Sequence, residues 1–472
     1  MEREIAWKSY SPEELENVTA LGERYKDYLG KGKTERECVK EAVKLAEENG
    51  YKDLEARIRS GKALKSGEKL YLNHMGKCIM LFVIGKQKIE NGINIIGAHI
   101  DSPRLDVKQN PLYESDGLAY MDTHYYGGIK SFQWVTLPLA MHGVVVKKDG
   151  SVTELNIGED ESDPVFCISD ILPHLGQDQA RKTVSEAIDG EQLDLIIGNQ
   201  PLMQAKKGTK KNDKPDTERD AVKALALKLI KEKYGFEEED FLSAEIEIVP
   251  AGKPRDLGFD RSMILGYGHD DRVCAYAQLE AMFTLTGAPD KTAACILTDK
   301  EEIGSVGATG MRARFFENAV AEIMHLHGED GELALRRALA ASSMLSCDVS
   351  AGFDPAFAGA FEKKNAAFLG RGVCFNKFTG SRGKSGSNDA NAEFMAKCRA
   401  IMDGGNVKFQ TAELGKVNQG GGGTIAYICA LYGMNVIDSG VAVLSMHAPF
   451  EIISKADLYE SVKAYREFVL KA

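Results

Sequence analysis

GHDDRVCAYAQLEAMFTLTGAPDKTAACILTDKEEIGSVG (268–307) is the stretch on which the fold reading turns. RVCAYAQLEAMFTLTG (272–287) reads as a helix and AACILTD (293–299) as a short, wholly apolar strand. Such runs suit strands covered on both faces. The pattern repeats outward. CIMLFVIG (78–85), INIIGAH (93–99) and VIDSGVAVL (436–444) read as buried strands. ELALRRALAASS (332–343), NDANAEFMAKCRAIMDGG (388–405), TIAYICALYG (424–433) and SKADLYESVKAYREFVLKA (454–472) read as helices. Two further helices open the chain. Ser11 with Pro12, Glu13 and Glu14 starts one, and Thr34 with Glu37 at capping-box spacing starts the other. Strands alternating with helices predict an α/β fold: a mixed, largely parallel sheet sandwiched by helices.

The texture changes between residues 106 and 250. SFQWVTLPLAMHGVVVKKDGSVTELNIG (131–158) reads as hairpins turning at Lys148-Asp149-Gly150, and AEIEIVP (244–250) as a strand. QAKKGTKKNDKPDTERD (204–220) is charged and poor in apolar residues, as a mobile loop would be. The chain is therefore read as one discontinuous α/β domain (1–105 and 251–472) carrying a β-rich insertion (106–250). Its 472 residues exceed what a single core of ~250–300 residues fills.

Composition narrows the function. Asp and Glu number 70 against 59 Lys and Arg, a net charge of −11. That sign disfavours binding to nucleic acid or to an anionic membrane. No apolar run approaches the ~20 residues a bilayer span needs, and MEREIAWKSYSPEE lacks the apolar core of a signal peptide. The nine cysteines form no C-x-x-C pair, and several lie inside apolar runs, as in a reducing compartment. A cytoplasmic location is the expectation.

Ligand-type residues cluster where apolar runs end, which is where open α/β sheets place their sites. His99 and Asp101 follow one strand as H-x-D. Positions i and i+2 of an extended chain share a side, so Asp101 is placed to take the second ring proton of His99. Asp270 and Asp271 precede a helix, where capping is the plainer role, but a carboxylate there can also bridge two metal ions. Glu301 and Glu302 follow a strand and precede a glycine-rich turn. Paired glutamates are common on solvated helix faces. Here one can bind metal while its neighbour acts as general base. Asp348 in MLSCDVSAGFDP and His447 in VAVLSMHAPFE complete the set. Oxygen and imidazole donors without thiolate suit zinc, cobalt or manganese. His74, His124, His142, His269, His325 and His327 read as surface or packing residues.

GAHIDSPRL, the aspartate before DR, DKEEIGS, the Asp348 segment and SMHAPFE occur in this order across nearly the whole chain. Together they resemble the aspartyl aminopeptidase and vacuolar aminopeptidase I family of dinuclear zinc peptidases. The resemblance implies a zinc-exopeptidase-like fold and removal of the N-terminal residue from short peptides. It implies one metal on His99, Asp270 and Asp348, and another on Asp270, Glu302 and His447, with Asp270 bridging. Glu301 would be the general base and Asp101 the orienter of His99. A cis peptide would join Asp270 to Asp271. It also implies that the insertion dimerises, that dimers build a tetrahedral dodecamer, and that an insertion histidine, best matched by His174, reaches a neighbouring subunit's site.

Some positions depart from the family pattern. Acidic-specific members carry histidines where Ala351 and Asp354 stand here, and Gln419 replaces an aspartate. Recognition of an acidic N-terminal residue needs a cation, for which Lys377, Arg382 and Lys384 are candidates beside the plainer reading of a solvated basic loop. Three other functions compete. Gly383-Lys384-Ser385 matches the tail of a phosphate-binding loop, but Phe378 stands where its first glycine belongs. A metal-stabilised scaffold would have no use for Glu301. A carboxypeptidase or amide deacylase could use the same metal chemistry.

Overall fold

Capping decides where the chain first turns helical. In the computed structural model, which describes residues 4–203, 220–380 and 385–472, Ser11 Oγ accepts the Glu14 N–H at 3.2 Å while Glu14 Oε2 accepts the Ser11 N–H at 2.8 Å. This opens α1 (Pro12–Lys31). Thr34 and Glu37 make the same reciprocal pair at 3.2 and 3.1 Å and open α2 (Glu35–Glu48). Each box satisfies donors that a helix start otherwise leaves unpaired. The stretch 204–219, read as part of a mobile loop, lies outside the described residues.

The chain forms two compact units, Met1–Ser102 with Pro254–Ala472, and Pro103–Lys253. The first unit is built on a nine-stranded mixed sheet. Its strands are β1 (Lys52–Asp53), β2 (Lys69–His74), β3 (Cys78–Val83), β4 (Ile93–His99), β5 (Thr292–Thr298), β6 (Ser343–Cys347), β7 (Val373–Asn376), β8 (Phe409–Thr411) and β9 (Asn435–Gly440). They lie in the order β1-β2-β3-β5-β4-β6-β9-β7-β8. The central strands β5, β4, β6 and β9 run parallel, while β2–β3, β3–β5 and β9–β7 are antiparallel.

The apolar strands serve two cores, as continuous hydrophobicity requires. Ile79, Leu81, Val83, Ile96, Ala98 and Leu297 pack with α1, α2, α3 (His269–Phe283) and α5 (Lys455–Lys471). Met80, Phe82, Ile95 and Ile296 face the other way, against α4 (Phe315–His327) and the turn of helix at Ala426–Ala430. Each such side chain contributes ~1.5–3 kcal/mol when fully buried. The helix α4 was absent from the sequence reading. FFENAVAEIMHLH shows no capping residue, and its N-terminal neighbour Arg314 makes no side-chain cap.

The second unit holds a six-stranded antiparallel sheet. Its order is Val152–Ile157, Leu139–Val146, Ala244–Pro250, Arg104–Ser115, Leu118–Tyr126 and Leu195–Gly198. The hairpin expected at Lys148–Gly150 joins its first two members, with Gly150 at φ +85° where only glycine is unstrained. Ala221–Tyr234 is the unit's α-helix among the described residues, beside four short 3-10 turns.

Candidate metal centre

The parallel register brings three distant segments to one edge of the sheet. Thr298 at the end of β5 pairs with His99 at the end of β4, and Ser346 of β6 pairs with Gly97 of β4. The chain therefore delivers His99, Glu301 with Glu302, and Asp348 side by side. Asp270 arrives from the start of α3, and the peptide between it and Asp271 is cis. His447 follows the short strand Ala442–Val443. Close approach at this edge constrains β9 as well. A Cβ on Gly440 would stand 1.9 Å from the Asp348 carbonyl oxygen.

Asp270 is the hub. Its Oδ1 lies 3.2 Å from His99 Nε2 and its Oδ2 lies 3.2 Å from His447 Nε2. His99 Nε2 is also 3.9 Å from Asp348 Oδ1, and His447 Nε2 is 3.4 Å from Glu302 Oε1. Two sets of donor atoms converge, each within 4.8 Å: His99, Asp270 and Asp348, and Asp270, Glu302 and His447. Asp270 belongs to both.

The other ring nitrogen of His99 fixes the tautomer. Nδ1 lies 2.9 Å from the Asp101 carbonyl oxygen, which can only accept, and 3.4 Å from the Asp101 carboxylate. A proton on Nδ1 leaves Nε2 with a lone pair facing Asp270 and Asp348. The Asp101 carboxylate has a second task. Oδ1 accepts the Glu301 N–H and Oδ2 the Glu302 N–H, both at 3.1 Å, so it holds the turn that carries both glutamates.

The electrostatics call for cations. Burial, then the charge of Asp270, raises Glu302 well above its ordinary value. Burial likewise raises Asp348, with Asp270 and Asp271 adding to the effect against the pull of His99. Glu301 is pushed up to about 7, by burial first and by Asp101 and Asp270 next. Asp270 is the exception: burial opposes its charge, but the two histidines outweigh burial and hold it below the ordinary range. Asp270 Oδ1 is buried and makes no hydrogen bond. Several carboxylates packed at the floor of a cleft with two imidazoles carry a deficit of positive charge, which divalent ions would fill. The donors fit such ions in kind, being hard oxygens and imidazole nitrogens.

The chain matches the family described as Aminopeptidase I zinc metalloprotease (M18) over residues 28–469. The chain belongs to the M18 family. A probable M18 family aminopeptidase 1 from Clostridium acetobutylicum is 56% identical over 464 residues, covering 98% of this chain and 97% of that protein. The crystal structure of an M18 aminopeptidase from Thermotoga maritima superposes with a TM-score of 0.92 at 44% identity, covering all of both chains. The S. cerevisiae mApe1 dodecamer shares the fold at 18% identity and a TM-score of 0.74, covering 96% of this chain and 97% of that one. As an M18 protein the chain is a metal-dependent aminopeptidase of a zinc family.

Not every residue singled out from the sequence joins the M18 cluster. Lys377 is ion-paired with Asp389, stacks over Phe378 at 4.2 Å, and does not line the cleft at the cluster. Arg382 and Lys384 lie outside the described residues. His174 sits exposed in the insertion unit. His269, read as a packing residue, is buried with Nδ1 2.7 Å from Tyr25 Oη and Nε2 3.1 Å from the Ile264 carbonyl, and burial lowers its pKa to about 3.

Two buried residues escaped the sequence reading. Arg272 donates to the carbonyls of Ile100 at 3.1 Å and Lys33 at 3.0 Å, tying the start of α3 to the end of β4. Glu451 accepts from the backbone of Asp270 and of His447. A charged residue next to a ligand motif was the available signal in both cases. Its partner lay too far along the chain to be guessed.

Two outcomes follow from this geometry. Gly440→Ala should push the Asp348 backbone aside and lower bound zinc, measured by atomic absorption on folded protein; full occupancy would show that the contact is tolerated. The metal-stripped protein should lose stability as pH rises from about 5 to 8. Glu301 and Glu451 have folded pKa values raised from 4.5 to about 7 and about 8, so the folded state holds more protons across that window. His99, also raised, acts in the same direction, and His269, lowered from 6.5 to about 3, opposes them only below its ordinary value. Melting temperatures of chelated protein should therefore fall with pH, and zinc should flatten the trend. A flat profile without metal would contradict the raised values.

Proposed function

We propose that the protein removes the N-terminal residue of short peptides at a dinuclear centre bridged by Asp270, with Glu301 as general base. The observation that carries this reading is the position of the Asp270 carboxylate, one oxygen 3.2 Å from each of two imidazoles that belong to different donor sets. His99, Asp270 and Asp348 would hold one ion, and Asp270, Glu302 and His447 the other. Zinc is the family's metal, and the same donors would accept cobalt or manganese. Bound there, the ions supply Lewis acidity at the scissile carbonyl and at the attacking water.

Glu301 is suited to proton transfer. With no ion bound, burial and the charges of Asp101 and Asp270 push its carboxyl up to about 7, and a buried carboxylate beside the donor sets is placed to take up a proton. Its backbone is pinned by Asp101, so the carboxylate is presented from a fixed turn. In this reading Glu301 takes the proton of the attacking water and passes it to the leaving amine.

The cluster opens into a cleft of about 750 Å³. Val349, Phe361, Leu414 and Met446 line it, with Arg312 held by Tyr427 as the cation among its described lining residues. This lining supports a preference for apolar or neutral N-terminal side chains. The run Gly420–Gly423 also faces the cleft, leaving room for the peptide backbone to approach.

Self-association through the insertion is part of the same proposal. Ile171, Leu172, Leu175 and Val184 are exposed there, as a surface covered in an assembly would be. The dodecamer of S. cerevisiae mApe1 is the precedent for an assembly of twelve subunits. His174 lies within this apolar segment, which is the support for its reaching a neighbouring subunit's site. Nine unpaired cysteines, eight of them buried, favour the cytoplasm.

Glu301→Gln should keep both ions while losing roughly 10²–10⁴-fold in kcat, the usual worth of a general base. Asp270→Asn should lose both ions. Turnover retained in the first variant, or full metal content in the second, removes the assigned roles. Initial rates on aminoacyl-p-nitroanilides and their N-acetylated forms test the reaction itself. Zinc-dependent cleavage of Leu and Met substrates, with none of the acetylated forms, is expected. Cleavage of acetylated substrates would point to an amide deacylase, and a preference for Asp or Glu would turn attention to Arg312 in the cleft and to Arg382 and Lys384.

A further inference from the structure

Glu451 is almost completely buried at the start of the strand Glu451–Ser454. Its two oxygens are used separately. Oε2 accepts the Asp270 N–H at 2.9 Å, and Oε1 accepts the His447 N–H at 2.7 Å. One carboxylate thus joins the residue shared by both donor sets to the histidine of the second set, and its own reach to Asp270 spans 181 residues of sequence. Ionised, it is an acceptor at both ends, and hydrogen bonds of that kind are the stronger sort.

His447 needs such a restraint. It sits at φ +65° and Ser445 at φ +60°, both in the left-handed region that side chains disfavour. The turn is closed by the Ala448 N–H on the Ser445 carbonyl at 2.9 Å. The bond from His447 to Glu451 ties that turn to the strand that follows it, with the imidazole facing Asp270 and Glu302.

Other parts of the centre have their own anchors. The Asp270 carbonyl accepts from Ser102 Oγ at 2.7 Å. His99 is set by the Asp101 carbonyl, and Glu302 by the Asp101 carboxylate. Loss of Glu451 would therefore leave the His99, Asp270 and Asp348 set largely supported, and would release the His447 turn from Asp270.

We propose that Glu451 is a positioning residue that sets the affinity of the second metal site, Asp270, Glu302 and His447, in preference to the first. The inference rests on the dinuclear reading above. Glu451→Gln is the informative variant. Glutamine has one acceptor oxygen, and its amide N–H₂ would confront the other backbone N–H, so one of the two bonds must break.

The test is a zinc titration of metal-stripped enzyme against a competing chromogenic chelator. Wild type should bind two ions. Glu451→Gln should bind the first as wild type does and the second ~10–100-fold more weakly, the usual loss when a ligand-orienting partner is removed. Its activity should return as zinc is raised to fill the weaker site, which a merely misfolded protein would not do. Glu451→Asp, which keeps both acceptor oxygens on a shorter arm, should fall between the two and serves if the glutamine variant does not fold. Wild-type affinity at both sites in a folded variant, or equal weakening of both, overturns the inference while leaving the dinuclear reading intact. Wild type binding a single ion overturns that reading and the inference with it.

Discussion

The Asp270 carboxylate, buried between two imidazoles, is the constraint around which the first unit is organised. Its oxygens lie 3.2 Å from His99 and from His447, and further carboxylates crowd the same space. Without compensating positive charge, burial would drive several of these groups to take up protons, as the raised values of Glu301, Glu302 and Asp348 indicate. A site of this kind is costly to an empty fold and well matched to divalent ions. The same feature that destabilises the bare protein supplies the chemistry of a zinc aminopeptidase.

Keeping like charges together demands a stiff frame, and the sheet provides it. Parallel strands β4, β5 and β6 end at one edge, so three loops bearing carboxylate or imidazole donors leave from neighbouring points. The frame is then locked by bonds from buried side chains to backbone. Asp101 holds the Glu301–Glu302 turn, Ser102 and Glu451 hold Asp270 from its two sides, and Arg272 holds α3 to β4. These bonds decide whether donors that are individually ordinary meet at coordinating distance.

Much of this was legible in the sequence because it is local. Caps at Ser11 and Thr34, the apolar runs of β3, β4 and β5, and the hairpin at Lys148–Gly150 depend on neighbours within a few residues. Each formed as read. The donors His99, Asp270, Glu302, Asp348 and His447 were recognisable because each ends an apolar run or opens a helix. That position is itself a consequence of sheet geometry. Helix α4 was missed for a local reason too, since no capping residue marks its start.

What the sequence determined by itself was the alphabet of elements and the inventory of donors, since periodicity, capping and residue chemistry are properties of short segments. Tertiary structure alone decided which atom of each residue serves. It turned the Asp101 carbonyl, and not its carboxylate, closest to His99, left Lys377 paired with Asp389 away from the cleft, and joined Glu451 to Asp270 across 181 residues. Those choices depend on strand register and on the approach of segments far apart in the chain, and no pattern within a short window encodes them.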